Sequence, residues 1–349
     1  MSERVHGGID ARELARLRLD ACDVVDFSVN LNPYGPCDAV LEAVRRAPLE
    51  RYPDPHARAA RAAWAKVFGR ASEELAVGHG ASDLFWAIAR ATCAPGARVL
   101  IAEPTFSEFT IAAQACGAEV QRLYARAEHG FRFDLAELAR AARGASALYL
   151  CSPNNPTGEH VSVSQVRELA QALGRTWLVL DQSFLGLSDH AEEACAELPS
   201  NVVQVRSLTK EFACAGLRIG LCVAAAELVA RIEAVRPTWS TSSLALAALE
   251  ACASELAFVR ASWLRMRADR EATCELLRMR GYAPLPSATA YQLVPLAEEA
   301  HVLRADLLRH GVLVRDCASF GLPRHMRVAA LPVQARTRFA AALDAVRSA

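Results

Sequence analysis

The sequence predicts an α/β fold: a mostly parallel sheet flanked by helices, followed by a smaller α+β C-terminal domain. Three observations carry this expectation. Short apolar runs recur through the first two thirds of the chain, each ending on polar residues, glycine or proline. Amphipathic segments of helical period lie between them, and such strand–helix alternation argues for a parallel sheet covered on both faces. After about residue 238 the pattern changes to a long helical stretch and a few strands.

In chain order, residues 1–40 read as an arm: a short helix over Ala11–Leu19, then "VVDFSVNLNPYGP", whose Asn, Pro and Gly mark a loop. Residues 41–240 read as the large domain. Its strands are "LAVGHG", "RVLIAEP", "ALYLCSP", "TWLVLDQSF", "NVVQVRSLTK" and "RIGLCVA", with helices at 83–93, 105–117, 134–143 and 162–174 between them. Residues 241–349 read as the small domain: helix over 243–280, strands "YQLVPL", "GVLVRDC" and "HMRVAAL", and a closing helix at 335–347. Neither an internal repeat nor a low-complexity linker interrupts the pattern.

Composition narrows the partners. The chain has 349 residues, 52% of them hydrophobic, enough for a large core. Its 39 basic and 39 acidic residues cancel and are interspersed, which argues against a nucleic-acid face. No run approaches the roughly 18 apolar residues of a membrane span, and the N-terminus lacks an apolar signal core. The eleven cysteines lie mostly in apolar runs without a CxxC pair. They read as small buried hydrophobes in a reducing compartment, so the cytoplasm is expected. The nine histidines show no HExxH and no paired ligand spacing, so no metal is expected.

In open α/β sheets polar sites collect at the carboxyl edge of the strands. Those edges carry Gly80, Ala81 and Ser82, then Asn155, Asp181, Ser207 with Lys210, and Arg218. Lys210 stands out because only it and Lys66 are lysines among the 39 basic residues. An amine of lowered pKa condenses with a carbonyl, whereas a guanidinium stays protonated. Lys66, on the amphipathic "RAAWAKVFG", shows that a lysine also persists without such a role. Ser207, Arg218 and the "GHGAS" turn into a helix offer anion-binding groups, although most short Gly-Ser turns are ordinary turns. Asp181, ending the apolar "TWLVLD", either needs a buried partner or caps the next segment. An acid beneath a protonated pyridine and an amine for its aldehyde fit pyridoxal phosphate.

"CSPNNPTG" (151–158), "LDQSF" (180–184) and "SLTKEFACAGLRIG" (207–220) resemble the fold-type I pyridoxal-phosphate enzymes, the aspartate aminotransferase superfamily, over essentially the whole chain. The resemblance implies that Lys210 holds pyridoxal 5'-phosphate covalently and then serves as acid and base. It implies Asp181 at the pyridine nitrogen, Asn155 at the ring oxygen and Phe109 of "PTFSEF" stacked on the ring. Ala81, Ser82, Ser207 and Arg218 would hold the phosphate, with Tyr52 of "RYPD" reaching over from the second subunit of a homodimer. Arg327 of "HMRVAAL" would clamp the substrate carboxylate.

Within the superfamily, "HGGID" (6–10), "VVDFSVNLNPYGP" (24–36), "RYPDP" (51–55) and "VRDCASFGLPRHMRVAA" (314–330) are most similar to threonine-phosphate decarboxylase of cobalamin biosynthesis, itself similar to histidinol-phosphate aminotransferase. The leading expectation is decarboxylation of L-threonine O-3-phosphate. The alternatives are amino transfer on histidinol phosphate or a related amino acid, a specialised decarboxylase of a phosphonate- or phosphate-bearing amino acid, and a non-catalytic module on the same fold. His6 and the Asn30–Asn32 loop would meet the substrate phosphate, and Arg315 with Arg327 would steer which bond breaks. Phe184, Gln182 and Ala290 depart from residues common in relatives and leave the substrate open.

Overall fold

The computed structural model describes residues 7–348, so His6 lies outside the described residues. The strands are β1 (Val25–Asp26), β2 (Leu75–His79), β3 (Arg98–Glu103), β4 (Glu119–Tyr124), β5 (Ala147–Cys151) and β6 (Trp177–Asp181). They continue with β7 (Val202–Arg206), β8 (Ile219–Val223), β9 (Tyr291–Pro295), β10 (Val312–Leu313), β11 (Arg315–Asp316) and β12 (His325–Ala329). Seven of them form the main sheet in the order β2-β8-β7-β6-β5-β3-β4. All pairings are parallel except those of β8, which is antiparallel to both neighbours.

The continuous apolar character of the central strands has a direct cause. Alternate residues enter two different cores, one on each face of the sheet. Val99, Ile101, Tyr149 and Val179 join the helices Gly80–Thr92 and Glu108–Ala115 on one face. Leu100, Leu148, Leu150 and Leu180 join Leu135–Ala141 and Val163–Leu173 on the other. Strand β4 escapes a sequence reading because it is an edge strand, mostly polar and solvent-facing. Helix Asp38–Arg46 adds to the elements expected from sequence, and Arg58–Phe68 contains the amphipathic helix read at "RAAWAKVFG".

A second, three-stranded antiparallel sheet runs β11-β12-β9. The predicted strand "GVLVRDC" divides: β10 pairs with β1 from the arm, and β11 pairs with β12. The helix expected over 243–280 is two helices, Ser243–Cys252 and Leu256–Arg278. Phe27 of the arm is fully buried with Val294, Val312, Met326, Val328 and Phe339, which ties the arm to this second core. Among the described residues no helix is long and apolar enough to cross a membrane. All eleven cysteines are free, and seven are buried.

Candidate active site

Topology brings the predicted polar residues to one edge. Asp181 ends β6 in register with Cys151, the last residue of β5. Strand β7 delivers Ser207 one step further on. Because β8 runs the other way, its first residue, Ile219, pairs with His79 at the end of β2. Arg218 therefore lies beside Gly80, where β2 turns into a helix.

That turn depends on two glycines. Gly80 has φ +80°, and a Cβ there would stand 2.9 Å from Arg218 Nη2. A Cβ on Gly220 would stand 2.8 Å from the Ala81 amide nitrogen. The guanidinium, the Ser207 hydroxyl and the amides that open the helix Gly80–Thr92 thus converge, and the helix dipole adds to their attraction for an anion.

Lys210 Nζ donates to Ser207 Oγ at 2.8 Å and lies 5.3 Å from the centre of the Phe184 ring. Burial pulls its pKa down to about 8, against the opposing pull of Asp181 and with help from Arg218. A neutral amine is therefore accessible near neutral pH, as a nucleophile requires. Asp181 is buried; it accepts from the Tyr149 hydroxyl at 2.8 Å and from the Ser183 amide at 2.9 Å. Burial first, and then the Asp181 charge, holds the Tyr149 phenol well above its ordinary range, so it stays a donor.

Two cavities meet at the lysine. The inner one, about 290 Å³, is lined by Ala81, Ser82, Asn155, Asp181, Ser207 and Arg218 among others. The outer one, about 990 Å³, reaches Ser28, Asn30, Arg315 and Arg327. Phe106, Asn155, Phe184, Lys210 and Arg218 line both. Arg327 is buried; it donates to the Asn155 side-chain oxygen and, at 2.6 Å, to the Ser28 carbonyl. Arg315 is equally buried and donates to Ser319 Oγ at 2.6 Å.

Several predicted site residues are placed elsewhere. Phe109 is fully buried, stacked on Tyr149 with centroids 5.3 Å apart, and lines neither cavity. The helix begins at Glu108, which turns Phe109 into the core and leaves Phe106, on the preceding loop, as an aromatic wall shared by both cavities. Asn32 does not line the outer cavity either. Its backbone amide donates to the Lys210 carbonyl at 3.0 Å and its side chain to the Glu211 carbonyl at 2.9 Å. It clamps the lysine's own segment, while Asn30 faces the cavity. Tyr52 is 77% exposed, stacked on Trp239 and outside both cavities.

Sequence reasoning also misses Tyr149 and Ser28. Tyr149 is signalled by strand period: it pairs with Val179, two residues before Asp181, and so shares a face with the acid.

These residues suit pyridoxal phosphate. The inner cavity has an anion cradle at one end, a buried acid on its floor and an amine of lowered pKa at its mouth.

Comparison with known proteins agrees. Residues 22–343 match the family model of aminotransferase class I and II. A histidinol-phosphate aminotransferase of Symbiobacterium thermophilum is 32% identical over 329 residues, covering 93% of this chain and 90% of that protein. A crystal structure of histidinol-phosphate aminotransferase from Sinorhizobium meliloti, in complex with pyridoxal-5'-phosphate, is similar with a TM-score of 0.86 and 26% identity, covering 98% of this chain and 95% of that one. L-Threonine-O-3-phosphate decarboxylase from Porphyromonas gingivalis is similar with a TM-score of 0.81 and 25% identity, covering 93% and 99%. The cofactor is pyridoxal 5'-phosphate, and the fold is that of the fold-type I enzymes. With its lysine, acid and anion cradle at one sheet edge, the chain belongs to the class I and II aminotransferases.

Proposed function

We propose that the protein is a pyridoxal-phosphate aminotransferase whose amino substrate carries a phosphate, with histidinol phosphate as the first candidate. This moves the weight from the decarboxylation expected first to the amino transfer held as its alternative. The support is twofold: the curated relatives bear the aminotransferase name, and two buried guanidiniums line the outer cavity. The former observation carries the choice of amino transfer, while buried cations in a chamber beside the reactive amine call for an anionic substrate.

In this reading the inner cavity holds the cofactor: Ala81, Ser82, Ser207 and Arg218 at its phosphate, Asp181 at its ring nitrogen, Asn155 at its ring oxygen and Phe106 beside its ring. When bound, the cofactor supplies an electron sink for the bonds at the substrate's α-carbon. Lys210 Nζ, at the junction of the cavities, takes the proton from that carbon and would hand it on to the cofactor's aldehyde-derived carbon, the relocation that amino transfer requires. Arg327 and Arg315 bind anionic groups of the substrate and set which α-bond stands perpendicular to the ring. The arm closes the outer cavity over them: Gly7 lines it, and the Gly8 amide donates to Ser28 Oγ at 2.7 Å. His6, next to Gly7 in the chain, is a further substrate contact in this reading.

The enzyme is read as a cytoplasmic homodimer in which the exposed Tyr52 reaches the partner's cofactor. Residues 41–240 and 241–349 act as domains meeting over the outer cavity, with 1–40 as the arm.

Decarboxylation of threonine phosphate is the second reading. It is favoured by Phe184, a ring without a hydroxyl in the cavity wall, and by a substrate carrying both a carboxylate and a phosphate for two arginines. Single-turnover reaction of holoenzyme with each compound separates the two. Amino transfer converts bound cofactor to its amine form and yields a carbonyl product from histidinol phosphate. Carbon dioxide from threonine phosphate, with the cofactor unchanged, would reverse the assignment.

A further inference from the structure

We propose that His160, His190 and Glu193 form a binding site for a divalent transition metal, with zinc the ion whose ligand preference they match. One ligand atom from each lies within 4.8 Å of the other two. His160 Nε2 stands 3.0 Å from Glu193 Oε2, and His190 Nδ1 stands 3.9 Å from Glu193 Oε1. Two imidazoles and one carboxylate, with a fourth position for water, are a recurrent zinc donor set. The sequence shows no ligand spacing and so gives no expectation of a metal. The fold explains why: His160 lies on the loop after β5, and the other two ligands come from the segment after β6, far along the chain.

The surroundings fit a ligand role. His160 Nδ1 lies 3.1 Å from Ser152 Oγ. That oxygen also accepts from the Val161 amide at 2.9 Å and faces the Val161 carbonyl at 3.2 Å. When the serine proton goes to the carbonyl, His160 donates from Nδ1 and its Nε2 lone pair points at Glu193. Such outer hydrogen bonds fix the tautomer of metal-binding histidines. In that tautomer a cation seated between the Nε2 lone pair and the Glu193 carboxylate is held by both.

The two imidazoles stack face to face, centroids 3.9 Å apart and 11° from parallel. Their lone pairs therefore lie in nearly parallel planes. Coordination requires the His190 ring to swing out of the stack until its lone pair converges with that of His160. Its side chain is 38% exposed, which leaves room for that swing. The ion would fasten the 152–161 loop, which carries Asn155 into both cavities, to the segment that Asp189 and Arg270 hold against the long helix. The site is independent of the substrate assignment, since none of the three ligands is given a part in it.

The test uses holoenzyme freed of metal by chelation and titrated with zinc by calorimetry, and with cobalt(II) by its visible d–d absorption. One equivalent per chain is expected, with His190→Ala and Glu193→Gln each weakening binding by more than about tenfold and Ser152→Ala by about 10–100-fold. Cofactor absorbance should be unchanged in all three variants, which also reports that they fold. Equal zinc affinity in wild type and His190→Ala, or zinc uptake that perturbs the cofactor absorbance instead, would overturn the proposal.

Discussion

Arg315 and Arg327 are directly opposite each other on the antiparallel strands β11 and β12, both buried and both lining the outer cavity. Like charges in that relationship destabilise a sheet. An anion in the cavity relieves the repulsion, so inorganic phosphate should raise the melting temperature of the holoenzyme, and less so in Arg315→Ala. The same variant should raise KM by roughly ten- to a hundredfold, the equivalent of one charged hydrogen bond of about 1.5–3 kcal/mol. Steady-state kinetics checks the second outcome and thermal denaturation the first.

Lys210→Arg keeps the charge and removes the condensing amine. Loss of the cofactor's visible absorption band is expected, with turnover falling by at least about 10²–10⁴-fold.

The lowered pKa of Lys210 has a sign that can be measured in the apoenzyme. Between its folded value of about 8 and its ordinary 10.5, the unfolded chain binds the extra proton. Stability from this group therefore rises with pH across that window. Its penalty is fully present below pH 8 and fades toward the upper limit. Urea denaturation of wild type minus Lys210→Met, traced from pH 7 to 10, should give a difference that shrinks as pH rises.

Phe106 and Phe109 separate binding from packing. Phe109→Ala should destabilise the apoenzyme by about 3–5 kcal/mol, the usual cost of a deleted core aromatic. Phe106→Ala, at a ring only partly buried against the same core, should cost the apoenzyme less than Phe109→Ala and weaken cofactor binding. Urea denaturation and cofactor titration distinguish them.

Tyr149→Phe preserves the stack on Phe109 and removes one donor to Asp181. A loss of about 1–3 kcal/mol is expected, since a buried carboxylate oxygen is left without its partner. Denaturation of the apoenzyme is the measurement.

The part of the site built at strand ends is legible in the sequence. Asp181, Ser207 and Lys210 each come after an apolar run long enough to identify a buried strand, so topology dictates their meeting at one edge. The rest turns on local geometry that composition does not encode. Phe106 and Phe109 are three residues apart, and a helix start at Glu108 decides which one faces the cavity. Asn30 and Asn32 both read as ligand contacts until the hydrogen bonds of Asn32 to the backbone of 210 and 211 are seen. β1 and β10 are two-residue strands, too short for any period to register. Tyr149 is visible only once its register with β6 is known.

Arg327 already spends its guanidinium internally, on the side chain of Asn155 and the carbonyl of Ser28. These acceptors belong to the main sheet's loop and to the arm, while the arginine belongs to the second sheet. In the proposed reading, an anion drawn to Arg327 competes with these acceptors for the guanidinium. Where that competition displaces one of them, entry of substrate would be an exchange of fastenings, with the measured affinity reporting only the difference between them. A guest that loosens Asn155 from Arg327 frees a side chain that also lines the inner chamber, so the two compartments would learn of its arrival together.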